Sequence, residues 1–151
     1  MFMSIALTVH VLAFTVWVGG MFFAHQALRG AAVATLEPPQ RLRLWRATFD
    51  RFFPWVWVCI VLVLASGFWM MFQFPKPPIF VHAMMGLGII MVLLFLHVFF
   101  APYNRLKRAL KAEDWETGAK ALGQMRILIG INLSIGLVTI ILGTAGKFFI
   151  S

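Results

Sequence analysis

Four apolar stretches constrain this chain more than any motif in it: residues 3–28, 53–74, 79–101 and 127–149. A bilayer presents roughly 30 Å of hydrocarbon, which a helix of about 20 apolar residues can cross. In lipid a backbone must satisfy its own hydrogen bonds, so segments of this kind are helices. The expected fold is therefore an all-α membrane protein, a four-transmembrane-helix up-down bundle in a single domain, residues 1–151. Charged residues make up only 12%, against about 25% in soluble domains. The sixteen Phe and six Trp suit lipid-facing surfaces and interfacial belts. The single cysteine, Cys59, sits in an apolar run, which excludes an intrachain disulfide and reads as a small buried residue.

Charge in the linkers sets the orientation. Five arginines (Arg29, Arg41, Arg43, Arg46, Arg51) fall in residues 29–52, and six basic residues (Arg105, Lys107, Arg108, Lys111, Lys120, Arg126) in residues 102–126. Of the thirteen Lys and Arg, only Lys76 and Lys147 remain for the other side. By the positive-inside rule both basic linkers are cytoplasmic and both termini face the periplasm, in a multi-pass protein of the bacterial inner membrane. The net charge of +8 is then explained by residues flanking membrane segments, which attract lipid headgroups, and not by a nucleic-acid partner. The first stretch lacks a basic leader and is too long for a signal-peptide core, so it reads as a retained helix. Within residues 29–52, Pro38 and Pro39 are placed to open a helix. Leu42, Leu44, Trp45, Phe49, Phe52 and Phe53 alternate with arginines, as in an amphipathic interfacial helix. Residues 102–126 read the same way.

Ionisable residues inside a membrane are costly and tend to be functional. All four histidines of the chain fall in two of the apolar stretches, His10 and His25 in the first, His82 and His97 in the third. Each pair is separated by 15 residues, a helical rise of about 22 Å and a rotation of about 60° beyond four full turns. The first and third spans run in the same direction, so His10 comes level with His82 and His25 with His97. Alternate helices of a bundle lie diagonally across its centre, where facing side chains build cofactor sites. The expected arrangement is two bis-histidine haem b sites, one per leaflet, suited to electron transfer. Gly130 lies near the level of His97 and Gly143 near that of His82, where small residues admit a porphyrin edge. Arg126, Arg105, Arg51 and Arg46 are cations available to propionates on the cytoplasmic side.

Two resemblances follow from these residues. The segment His10-Val-Leu-Ala-Phe-Thr-Val-Trp17-Val-Gly19-Gly20-Met-Phe-Phe resembles the first helix of the CopD-like membrane proteins and of the HemJ-type protoporphyrinogen oxidases. His82 and His97, with Pro102-Tyr103-Asn104-Arg105-Leu106 after them, are similar to the third helix of the same superfamily. The HemJ pattern implies a haem-binding histidine at His10 and a lysine two residues after His82. Met84 stands there instead, which ranks protoporphyrinogen oxidation behind electron transfer. The paired histidines also resemble the b subunit of respiratory bc-type complexes, which holds two haems between two helices.

The expected function is thus a di-haem b-type cytochrome, an oxidoreductase if an enzyme at all, fed by a quinol or another redox carrier. Four helices make a thin bundle, which a homodimer would thicken. HemJ-like oxidation of protoporphyrinogen is one alternative and copper handling is another. Met1, Met3, Met70, Met71, Met84 and Met85 fall near the outer helix ends with His10 and His82, and thioether with imidazole suits Cu(I). No Ser-His-Asp, Walker or zinc signature supports hydrolytic chemistry.

Overall fold

The structure, a computed structural model, describes residues 1–149. It is all helical: α1 (Phe2–Phe22), a π-helical segment (Phe23–Leu28), α2 (Arg29–Thr35), α3 (Pro38–Phe72), α4 (Ile79–Phe100), α5 (Pro102–Lys111) and α6 (Trp115–Phe149). Four continuous helical stretches are long and apolar enough to span a membrane: Phe2–Thr35, Pro38–Phe72, Ile79–Lys111 and Trp115–Phe149. The expected fold class is therefore present.

The stretches run further than the apolar segments alone suggested. The amphipathic helix expected after Pro38 does begin there, but it continues into the second span without interruption. Only Leu36 and Glu37 separate it from α2. At 35 residues α3 is about 52 Å long, well beyond the hydrocarbon thickness. The basic ends of the spans consequently form a second, helical storey outside the apolar zone. Pro54 is tolerated inside α3 because its ring lies on the exposed surface; the cost is one lost backbone bond to the Asp50 carbonyl. On the other side of the bundle Ala101 (φ −111°, ψ −87°) breaks the third span, and Pro102 opens α5. α5 buries Tyr103, Leu106 and Ala109 and turns its Arg105 and Arg108 outward.

At the foot of α5 the chain reverses through Glu113, whose φ of 54° is left-handed. Asp114 then opens α6: its Oδ1 accepts from the Thr117 amide at 3.2 Å, one of the donors that a helix start leaves unpaired. Hydrogen bonds from Thr117 hold the Asp114 carboxyl below its ordinary range. That contribution is present above the carboxylate's unfolded pKa and disappears as pH falls through the folded one.

α1 packs along α3, α4 along α6, and α5 folds back on α6. α6 also touches α1, whereas the backbones of α1 and α4 make no contact among the described residues, as expected of diagonal helices. Lipid tails are as apolar as the spans, so association here depends on close packing and interhelical hydrogen bonds. The middle of the bundle supplies both. Gly136 on α6 lets Val18 of α1 and Met91 of α4 close in, to 2.9 and 3.2 Å from where a β-carbon would stand. Trp17 (1% exposed) and Met91 (0%) fill this layer, and Trp17 meets Phe95 edge-on at 6.5 Å. Asn132 donates to the Met91 carbonyl at 3.2 Å. At the basic end, Tyr103 donates to Asp50, Arg46 pairs with Asp50 at 3.3 Å, and Lys107 lies 4.6 Å from the Tyr103 ring centre, so α5 is clipped to α3.

The adjacent glycines of α1 differ in what surrounds them. A β-carbon at Gly20 would stand 2.3 Å from the Phe52 ring, and one at Gly19 would meet nothing within 4 Å. Gly20→Ala should therefore lower stability by about 1–3 kcal/mol through overpacking. Gly19→Ala should be neutral or stabilising, a contrast that thermal unfolding of the two variants in detergent will check.

Candidate functional site

Besides a cavity of about 140 Å³ lined by Trp17, Phe95 and Asn132, two larger ones lie toward opposite ends of the bundle. The larger, about 540 Å³, lies at the end away from the basic linkers and takes walls from all four spans. His10 is its one titratable side chain, and it shares the lining with the thioethers of Met3, Met70, Met71, Met84 and Met85. The smaller, about 280 Å³, lies at the basic end and is lined by His25 with Arg29, Arg41 and Arg126.

His10 is held by the second span. Its Nδ1 lies 3.1 Å from the Val63 carbonyl oxygen and 3.0 Å from Ser66 Oγ. The Ser66 hydroxyl is itself spent on the carbonyls of the preceding turn. Nδ1 must then carry the proton and donate it, which leaves the Nε2 lone pair free. A backbone or side-chain acceptor on one imidazole nitrogen is the usual means of presenting the other to a metal. Gly67 makes room for the ring: a β-carbon there would stand 3.0 Å from His10 Cε1. Gly143 does the same for a thioether, its missing β-carbon lying 3.1 Å from the methyl of Met84. Each donor type on opposite sides of the cavity is thus backed by a glycine.

His25 is arranged differently. The π-helical segment Phe23–Leu28 carries it, and such segments are frequent at functional positions. Gln26 Nε2 donates to His25 Nδ1 at 3.3 Å, so Nε2 keeps the proton. That nitrogen lies 2.8 Å from where a β-carbon of Gly130 would be.

The histidines of the third span do not join them. His82 and His97 are exposed on α4, and neither lines either cavity. His82 Nδ1 turns back to the Pro78 carbonyl at 3.2 Å. Of the other expected cofactor residues, Gly143 lines the larger cavity, Arg126 lines the smaller, and Gly130 faces His25. Arg105 is exposed on α5 and Arg46 is engaged with Asp50. Among the described residues no three His, Cys, Asp or Glu side chains converge as a metal cluster. The donors gathered at one place are one imidazole and several thioethers. Ser66 and Gly67 were not singled out as partners of His10, although Ser-Gly within an apolar span marks a place where another helix can approach closely.

These features define a four-span helical membrane protein with a soft-donor cavity in its apolar zone. Residues 46–145 match the family model of CopD, copper resistance protein D, and the chain belongs to that family. The match covers His82, His97 and most of the cavity's methionines, and begins beyond His10 and His25. No curated protein and no solved structure matches the chain.

The ring state of His10 can be read directly. Nitrogen NMR of protein labelled in histidine should give, for His10, a protonated Nδ1 and a bare Nε2, and for His25 the opposite tautomer. Ser66→Ala should leave the His10 assignment unchanged, because the Val63 carbonyl still accepts.

Proposed function

We propose that this chain handles copper within the bacterial inner membrane, holding Cu(I) as cargo in the cavity of His10 and the methionines. The observation that carries this reading is the donor set: an imidazole whose Nδ1 is tied to Val63 and Ser66, lining one largely apolar cavity with the thioethers of Met70, Met71, Met84 and Met85. Neutral nitrogen and thioether donors suit Cu(I) and disfavour hard divalent ions. A monovalent ion also costs less to place in a low-dielectric site than a divalent one, since the desolvation penalty grows with charge. Met3 and Phe74 are among the cavity's lining residues, at the end away from the basic linkers. By the charge of the linkers the basic end is cytoplasmic and both termini are periplasmic. The cavity therefore takes its ion from the periplasmic side by ligand exchange, with no change in oxidation state. Reporter fusions at Ala34 and Glu113 should give cytoplasmic signals and one following Ser151 a periplasmic signal.

The second reading keeps haem b at the same ring. The free Nε2 of His10 is also what a haem iron needs as an axial ligand. A quinol or other carrier would then supply electrons, and a homodimer would bury part of the outward Phe and Ile surface. The bis-histidine version requires His82 and His97 to turn inward from the exposed face of α4, which sets it behind copper.

Anaerobic titration of the purified full chain with Cu(I), against a chromophoric chelator, separates the readings. Wild type should take up one tightly held Cu(I). His10→Ala and Met84→Leu should each weaken it by tenfold or more, while His82→Ala should bind as wild type. Sharp reduced α and Soret bands in the purified protein, abolished by His10→Ala, would instead establish the haem reading.

A further inference from the structure

The cavity at the basic end is independent of the copper reading, and its chemistry is of another kind. Its charged lining consists of three guanidinium groups, Arg29, Arg41 and Arg126, with no carboxylate among the lining residues. Three like charges around about 280 Å³ repel one another and need an anion to be at ease there. Arg41 is half-buried and only partly satisfied. One terminal nitrogen donates to the Leu36 carbonyl at 3.2 Å, whereas its Nε is buried without a partner. A buried donor left unpaired is expensive, so a native one is a sign of a missing acceptor. His25 lines the same cavity. The π-helical segment that carries His25 also brings Arg29 to the same cavity wall.

The rest of the wall is apolar, with Leu42, Trp45, Phe49 and Ile129. These residues fall where the apolar spans pass into the basic storey, the depth at which lipid headgroups lie. An occupant must therefore offer several acceptor oxygens with negative charge at one end and a hydrocarbon body at the other. Basic pockets between spans on the basic side of a membrane protein meet that description with phospholipid phosphates.

We infer that the cavity formed by His25, Arg29, Arg41 and Arg126 is a binding site for the phosphate headgroup of an anionic phospholipid. The guanidinium groups grip the phosphate oxygens, for which their planar forks are suited. Leu42, Trp45 and Phe49 cover the upper part of the tails.

Native mass spectrometry of the full chain tests this, using phosphatidylglycerol and phosphatidylcholine with identical acyl chains. Wild type should retain one phosphatidylglycerol through delipidation and prefer it to phosphatidylcholine. Arg41→Gln and Arg126→Gln should each weaken retention about tenfold, the usual scale for losing a charge-assisted hydrogen bond. Arg108→Gln, at an exposed position outside the cavity, should change nothing. Arg126 is exposed, so its variant carries the comparison even if Arg41→Gln fails to fold. Equal retention of phosphatidylcholine, or unchanged retention in Arg126→Gln, would overturn the proposal. Displacement by inorganic phosphate as effective as by the lipid would also overturn it, since the site would then be one for free phosphate.

Discussion

Cohesion of the bundle depends on the layer where Gly136 lets α6 close on Val18 and Met91 at once. Lipid removes the usual drive to bury apolar surface, because the chain's outward Phe, Ile and Val side chains are as well solvated by hydrocarbon as by one another. Contact at near-backbone distance is what remains. Val18 and Met91 take the volume that Gly136 concedes, Phe95 meets the Trp17 ring edge-on, and Asn132 adds one hydrogen bond across to α4. Toward the two ends of the bundle lie cavities of opposite chemistry, one of neutral soft donors and one of cations.

Each cavity has one histidine in its lining. A carbonyl and a hydroxyl on α3 take the proton of His10 Nδ1, so that ring offers a lone pair. A neighbouring amide donates to His25 Nδ1, so that ring offers a proton. Identical side chains on the same span thereby sit in cavities of opposite chemistry. Glycines at 67 and 130 give each ring its place, and neither position could carry a larger side chain without moving it.

The spans, their number and the charge asymmetry of their ends were legible in the sequence because lipid permits only one backbone solution and basic residues flank it. The helix ends were less so: residues 38–52 are amphipathic, and hydropathy alone cannot tell a separate surface helix from the prolongation of a span. The pairing of histidines rested on equal spacing. Spacing fixes that His82 and His97 share a face of α4, but not which way that face points, and in the structure it is turned outward. Which face of a helix packs is decided by partners on other helices, and an almost uniformly apolar span such as α4 carries little periodic signal of its own. The methionines were visible as a copper motif, while the side that gathers them with His10 emerged only from the packing of four spans. The π-helical segment had no signature at all, since its residues are ordinary helix formers.

The copper proposal requires His10 and thioether sulfur to share one Cu(I). X-ray absorption at the copper edge of the anaerobically loaded full chain reads that shell directly. The predicted spectrum shows a mixed sulfur and nitrogen shell, with imidazole scattering that disappears in His10→Ala while the sulfur scattering persists. A shell of nitrogen and oxygen alone, or imidazole scattering that survives in His10→Ala, would contradict it.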